Sequence, residues 1–287
     1  MDTQPGLLRC YRHPEAETGI RCARCDRPIC TQCMISASVG FQCPECVRDG
    51  SGTGHAAGAN QPRTLAGGRV ATDGRLVTKI LMAINLALFI AVQVVGDRLL
   101  DDLALIGGAY LPSGEPVGVA DGEWYRLLTS AFLHQEIPHF LFNMLGLWMI
   151  GGIVEPELGR IRYTALCLLS GLSGSALAYL LSPQNQFSLG ASGIVYGLLG
   201  AWIVLARRRR QDMRPALLFV ALNLLITFTR PGISWQAHIG GLVAGVLVTY
   251  AMVHAPRARR ALVQYGACAL VLLIDLGIVL ARSAALT

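Results

Sequence analysis

Two groups of residues in this chain have the types and spacing for chemistry. The first is Ser192, in the run Gly190-Ala-Ser192-Gly193, with His134, His139, Asn143 and His238. A serine hydroxyl is a weak nucleophile and needs a base within hydrogen-bond reach, the role histidine most often fills. His139 and Asn143 are four apart, so on a helix they share a face. There their N–H groups could meet a developing oxyanion beside a backbone N–H near Ser192. In outline this is an acyl-transfer site with Ser192 as nucleophile and His238 as base. No acidic residue is placed to orient His238, so the pair is a dyad and not a triad. Taken singly, each has a plain structural role: a serine between glycines packs helices, and a histidine near a helix end makes interfacial hydrogen bonds.

The second group is Cys10-x2-His13, Cys22-x2-Cys25, Cys30-x2-Cys33 and Cys43-x2-Cys46. Four x2-spaced pairs of soft or borderline ligands suit two tetrahedral zinc ions with no open position, which is structural metal. Disulfides are one alternative, disfavoured in a cytoplasmic segment. A redox CxxC is another, and it needs only one pair. A module this short has little core, so metal would supply its folding energy.

The elements that must carry the first group are membrane helices. The chain has 287 residues, 53% hydrophobic and 15% charged, against about 25% charged in soluble domains. Its net charge of +6 is dispersed between apolar runs, which argues against a nucleic-acid surface and for residues that set topology. Lys79 is the only lysine, and that arginine bias, with abundant Ala and Gly, points to a GC-rich bacterial genome. Residues 1–48 form the Cys-rich module, 49–75 read as a flexible linker rich in Gly, Ala, Ser and Thr, and 76–287 as the transmembrane domain. No cleavable signal is visible before residue 75.

Seven apolar segments follow, near 76–95, 137–154, 161–181, 192–206, 215–229, 234–253 and 261–281. The fourth and fifth fall short of the about 17 residues a span requires. Flanking charge supports them: with the N-terminus inside, fourteen basic residues lie on cytoplasmic flanks and four outside. The expected location is a plasma membrane, multi-pass, N-terminus cytoplasmic and C-terminus outside. The outer loop near 97–136, with Trp124, Tyr125 and Phe132, suits the lipid headgroups. In this topology the second, fourth and sixth spans all begin on the outer side, and they carry His139 and Asn143, Ser192, and His238. Gly193/Gly197 and Gly241/Gly245 are GxxxG pairs that allow close helix approach.

From Leu76 onward the chain resembles the rhomboid proteases. The resemblance rests on His134-x4-His139-x3-Asn143, Gly190-x-Ser192-Gly193, Tyr196, and His238-x2-Gly241-x3-Gly245. Glu155-x3-Gly159 and Glu123-Trp-Tyr-Arg126 add to it, although Tyr125 stands where the family's loop usually has tryptophan. The resemblance implies an all-α polytopic protein with a six-helix core plus a seventh helix. It implies a Ser192–His238 dyad, oxyanion donors His139 and Asn143, and Tyr196 stacked beneath the histidine. Gly190 would form the turn presenting Ser192. Substrates would be single-span membrane proteins cut near the outer face. The Cys-rich module resembles a B-box zinc finger, which implies interleaved ligands, pairs one and three on one ion and two and four on the other, and an unidentified cytoplasmic partner. Competing readings are a proteolytically silent relative that binds clients, a transporter, and a zinc-dependent ubiquitin-type ligase. Asp275, inside the last span, is costly there unless protonated or paired, with Asn85 a possible contact. Cys167 and Cys268 read as packing residues.

Overall fold

The computed structural model describes residues 8–37, 39–49, 62–110, 113–230 and 232–286. The chain divides into two compact units, one ending at Arg63 and the other beginning at Thr64.

The first unit is small. Strands β1 (Leu8–Arg9) and β2 (Glu17–Thr18) form one antiparallel hairpin, and β3 (Ile35–Ser36) and β4 (Phe41–Gln42) form another. Helix α1 (Pro44–Arg48) follows, with Cys43 Sγ accepting from the Cys46 N–H at its start and Pro44 in its first turn. Five of the seven residues in its buried cluster are cysteines, with only Ile29 and Met34 beside them. Apolar burial on that scale cannot hold a fold by itself.

The second unit is helical. Its long helices are α2 (Leu76–Val95), then, after a loop holding α3 (Asp97–Leu103), strands β5 (Ala109–Tyr110) and β6 (Pro116–Val117) and α4 (Arg126–Thr129), α5 (Ile137–Leu158) and α6 (Arg160–Leu181). α7 (Ser192–Arg208), α8 (Arg214–Thr229), α9 (Trp235–His254) and α10 (Arg260–Leu286) complete it. Five helices are long and apolar enough to cross a membrane: α2, α5, α6, α9, and α10 with its leading turn. α8 is a shorter apolar helix. α7, with 17 residues, is buried on most of its faces between α5, α6 and α9. A central helix enclosed in this way can be short, because its neighbours and not lipid surround its apolar length.

Helix ends run past the expected spans where charge was taken as a boundary. α5 continues to Leu158 with Pro156 in its last turn, and the sharp turn into α6 is made by Gly159 at φ +79°. α7 extends to Arg208, α8 starts at Arg214 and α10 reaches Leu286. Backbone hydrogen bonding persists wherever charges can reach water. α9 begins one residue later than expected because Ser234 serves as its N-cap, accepting from the Ala237 N–H at 3.3 Å.

The expected linker needs correction. Residues 50–61 lie outside the described residues, but from Thr64 the chain is built into the helical unit. Thr64 Oγ1 donates to Leu158 O, Ala66 N–H donates to Glu157 O, and both residues are buried. Gln264 on α10 donates to Ala66 O and Met252 O, so this segment, α9 and α10 are bonded together.

Polar contacts inside the bundle link distant helices. Glu155 on α5 accepts from the Val77 and Thr78 N–H groups and from Thr78 Oγ1, each at 2.8–2.9 Å. The orphan donors at the start of α2 are satisfied by a carboxylate from another helix, which also complements the helix dipole. Asp275 on α10 accepts from Ser173 on α6 at 2.7 Å. It does not meet Asn85, whose side chain donates to Leu81 O in its own helix.

Candidate active site

The site sits where α5, α7, α8 and α9 begin or end. Ser192 is the first residue of α7, and His238 is in the first turn of α9. These helices are in backbone contact. A Cβ on Gly241 would stand 2.8 Å from the Gly193 carbonyl carbon, and one on Gly245 would stand 2.5 Å from Gly197 Cα. Only glycines allow this approach. The GxxxG pairs thus set the nucleophile candidate and the base candidate on facing first turns. Tyr196, one turn after Ser192, stacks on the His238 ring with centroids 4.1 Å apart and planes 14° from parallel.

Ser192 is half-buried and His238 buried. No hydrogen bond joins them among the described residues. Catalytic hydrogen bonds often close only when substrate arrives. The imidazole is held from its other side: Nδ1 lies 2.8 Å from Thr227 Oγ1 on α8.

His139 and Asn143 converge on the same turn. Gly190, at φ +123°, has no room for a side chain, because a Cβ there would stand 2.6 Å from His139 Cε1, 2.7 Å from His139 Nε2 and 3.7 Å from Asn143 Nδ2. Both side chains therefore lie against the loop two residues before Ser192. Asn143 Nδ2 donates to His139 O and to His134 Nε2, each at 3.1 Å. His134 is fully buried, and its Nε2 also receives the Ala191 N–H at 3.5 Å. The loop is anchored further by Gly190 N–H donating to Ser130 O at 2.9 Å. His134, His139 and Asn143 thus come together against the Gly190–Ala191 loop, and Ser192 follows that loop as the first residue of α7.

The loop before α5 is organised by buried Arg126. Its guanidinium donates to Asp101 O, Ala104 O and Glu123, while Glu123 also accepts from the Gly118 N–H. Burial pushes the Glu123 carboxyl up, but the Arg126 and Gly118 donors outweigh it and hold the group below its ordinary value. Trp124 and Tyr125 are exposed, whereas Phe132 packs on the core.

Thr227 is the residue that sequence reasoning missed. It is buried, and besides His238 it contacts Tyr196 Oη at 2.8 Å. The available signal was a hydroxyl within an apolar helix, which in a membrane protein marks a functional candidate.

In the first unit the eight Cys and His ligands form two clusters: Cys10, His13, Cys30 and Cys33, and Cys22, Cys25, Cys43 and Cys46. Within each, the ligand atoms lie within 4.8 Å of one another. These are the first and third pairs and the second and fourth, interleaved as the B-box resemblance implies. Each cluster could hold one metal ion.

Comparison with known proteins gives the family. Residues 121–255 match the rhomboid domain family, a stretch that includes α4 through α9. Rhomboid protease GluP of Bacillus subtilis is 32% identical over 180 residues, which is 61% of this chain and 34% of that protein. YdcA, a rhomboid protein of the same organism, is 30% identical over 152 residues, covering 51% of this chain and 76% of its own length. RHOMBOID-like protein 4 of Arabidopsis thaliana is 38% identical over 146 residues, 48% of this chain and 36% of that one. The chain thus spans only about a third of GluP. With relatives that include rhomboid serine proteases, and with apolar helices packed around these polar residues, the chain belongs to the rhomboid family of multi-pass membrane proteins.

Proposed function

We propose that this protein is an intramembrane serine endopeptidase in which Ser192 attacks the scissile carbonyl and His238 takes its proton. His238 then gives that proton to the leaving amine and activates a water that hydrolyses the acyl-enzyme. His139, Asn143 and a backbone N–H beside Ser192 stabilise the oxyanion. The observation that carries this reading is the close contact of α7 and α9 through Gly193, Gly197, Gly241 and Gly245, with Tyr196 stacked on His238. It supports a dyad on facing turns.

Substrates are single-span membrane proteins cut near the outer face, where helix-breaking Gly or Pro lets an extended backbone reach Ser192. Seven spans, with the N-terminus cytoplasmic and the C-terminus outside the plasma membrane, account for the distribution of basic residues. The two clusters of the first unit hold structural zinc. Tetrahedral zinc, with Zn–S about 2.3 Å and Zn–N about 2.0 Å, implies ligand separations of about 3.8 Å for S···S and about 3.5 Å for S···N. Cys25 and Cys43 sulfurs are 3.7 Å apart, and His13 Nδ1 lies 3.3, 3.4 and 3.9 Å from the Cys30, Cys33 and Cys10 sulfurs.

The test is cleavage of a model single-span substrate in liposomes. Ser192→Ala and His238→Ala each abolish cleavage, and the double variant is no worse, because residues that act as a unit are non-additive. A fluorophosphonate probe labels Ser192 in the wild type only. Normal cleavage by Ser192→Ala would overturn the protease reading in favour of a client-binding protein.

A further inference from the structure

Thr227 Oγ1 has three partners, each at 2.8 Å: the Asn223 carbonyl oxygen, Tyr196 Oη and His238 Nδ1. Thr227 is only 4% exposed, so water does not complete this set. A threonine hydroxyl has one hydrogen and two lone pairs. The Asn223 carbonyl can only accept, so the single hydrogen is committed to it, one turn back along α8. Two lone pairs remain for two partners, and both must donate. Tyr196 does so through its phenolic O–H. His238 can do so only if its proton is on Nδ1.

We propose that Thr227 is a positioning residue that sets the tautomer of His238, holding the neutral imidazole as Nδ1–H and leaving the Nε2 lone pair for the Ser192 proton. This deepens the protease reading and rests on it. The balance is complete: the proton leaves Ser192 Oγ for Nε2, Nδ1 keeps its own, and the resulting imidazolium still donates to Thr227. No proton passes through Thr227, because its hydrogen is bonded to Asn223. The arrangement performs the tautomer-setting part of a triad carboxylate's work. It omits the charge, since a neutral hydroxyl faces the imidazolium. Tyr196 contributes twice, its ring fixing the imidazole plane and its O–H filling the second lone pair of Thr227.

The experiment uses the full chain in liposomes or detergent with ¹⁵N-labelled histidine, the His238 resonances being identified by their loss in His238→Ala. In the wild type at a pH where the imidazole is neutral, Nδ1 should carry hydrogen and Nε2 should not. Thr227→Val keeps the shape and removes the acceptor. It should shift His238 towards Nε2–H and lower kcat about 10–100-fold, the range for a hydrogen bond to a group that becomes charged, with KM little changed. Thr227→Ser should restore both tautomer and kcat. Tyr196→Phe should leave the tautomer as it is, because Thr227 still accepts from Nδ1. An Nε2–H wild type, or a Thr227→Val variant with unaltered tautomer and kcat, would overturn the proposal. If the wild type cleaves nothing yet shows the Nδ1–H form and loses it in Thr227→Val, the tautomer assignment stands and the protease reading falls.

Discussion

The contact between α7 and α9 can be tested by one methyl group. A Cβ built on Gly241 meets the Gly193 backbone, 2.8 Å from its carbonyl carbon and 3.0 Å from its Cα. Ordinary contact begins at 3.4 Å, so the carbon alone is short by about 0.6 Å, and the Gly193 carbonyl oxygen is nearer still. The obstruction is backbone within a helix, so no side chain can swing aside. Gly241→Ala must therefore part the helices by roughly 1 Å, a misplacement that can cost about 10²-fold in rate. Overpacking of this kind costs about 1–3 kcal/mol in stability. Against a typical total of roughly 5–15 kcal/mol, that leaves most molecules folded. Activity should thus fall much further than the folded fraction. The assay is kcat on a model substrate together with the rate of fluorophosphonate labelling, read beside a thermal melt. Gly266→Ala and Gly277→Ala on α10 are controls, since a Cβ at either meets nothing within 4 Å. Wild-type labelling and cleavage in Gly241→Ala, or an equal loss in the α10 controls, would refute the argument that glycine contact sets the dyad geometry.

Three other outcomes are expected. Asn143→Ala should lower kcat by about 10²–10³, the usual cost of one oxyanion donor, without abolishing cleavage as Ser192→Ala does; an unchanged kcat would remove Asn143 from the site. Metal analysis of the purified chain should find two zinc ions, and because the ligands interleave, Cys10→Ser should release one and keep the other; loss of both, or of neither, contradicts two separate clusters. The Glu123–Arg126 latch should depend on pH with a defined sign. Its carboxyl is depressed in the folded state, so its stabilisation is present above the unfolded value of about 4.3 and is lost as pH falls through the lower folded value. The protection of the Gly118 amide against hydrogen exchange, taken relative to the intrinsic rate at each pH, should therefore fall only in acid, whereas in Glu123→Gln it should be low at neutral pH as well.

The features legible in the sequence are those decided locally. A run such as 76–95 is long and apolar enough to span a bilayer, and such a segment must satisfy its own backbone as a helix. The x2-spaced Cys and His pairs mark candidate metal ligands for a similar reason, because two ligands of one ion can lie within one turn of chain. The GxxxG pairs announce close helix contact, and the types and order of His134, His139, Asn143, Ser192 and His238 mark the candidates for the proposed chemistry. Partnership is different. Glu155 satisfies the start of α2 across 77–78 positions, Asp275 meets Ser173 across 102, and Gln264 reaches Ala66 across 198. Thr64 and Ala66 look like linker residues by composition, yet they are buried, with backbone partners at the end of α5 and the Gln264 side chain of α10 donating to Ala66 O. Thr227 is one polar residue in an apolar helix until α7 and α9 bring Tyr196 and His238 to it. Local hydrogen bonding and hydropathy are properties of a segment and can be read from it. Which donor meets which acceptor depends on how helices far apart in the chain pack, and only the tertiary structure decides that.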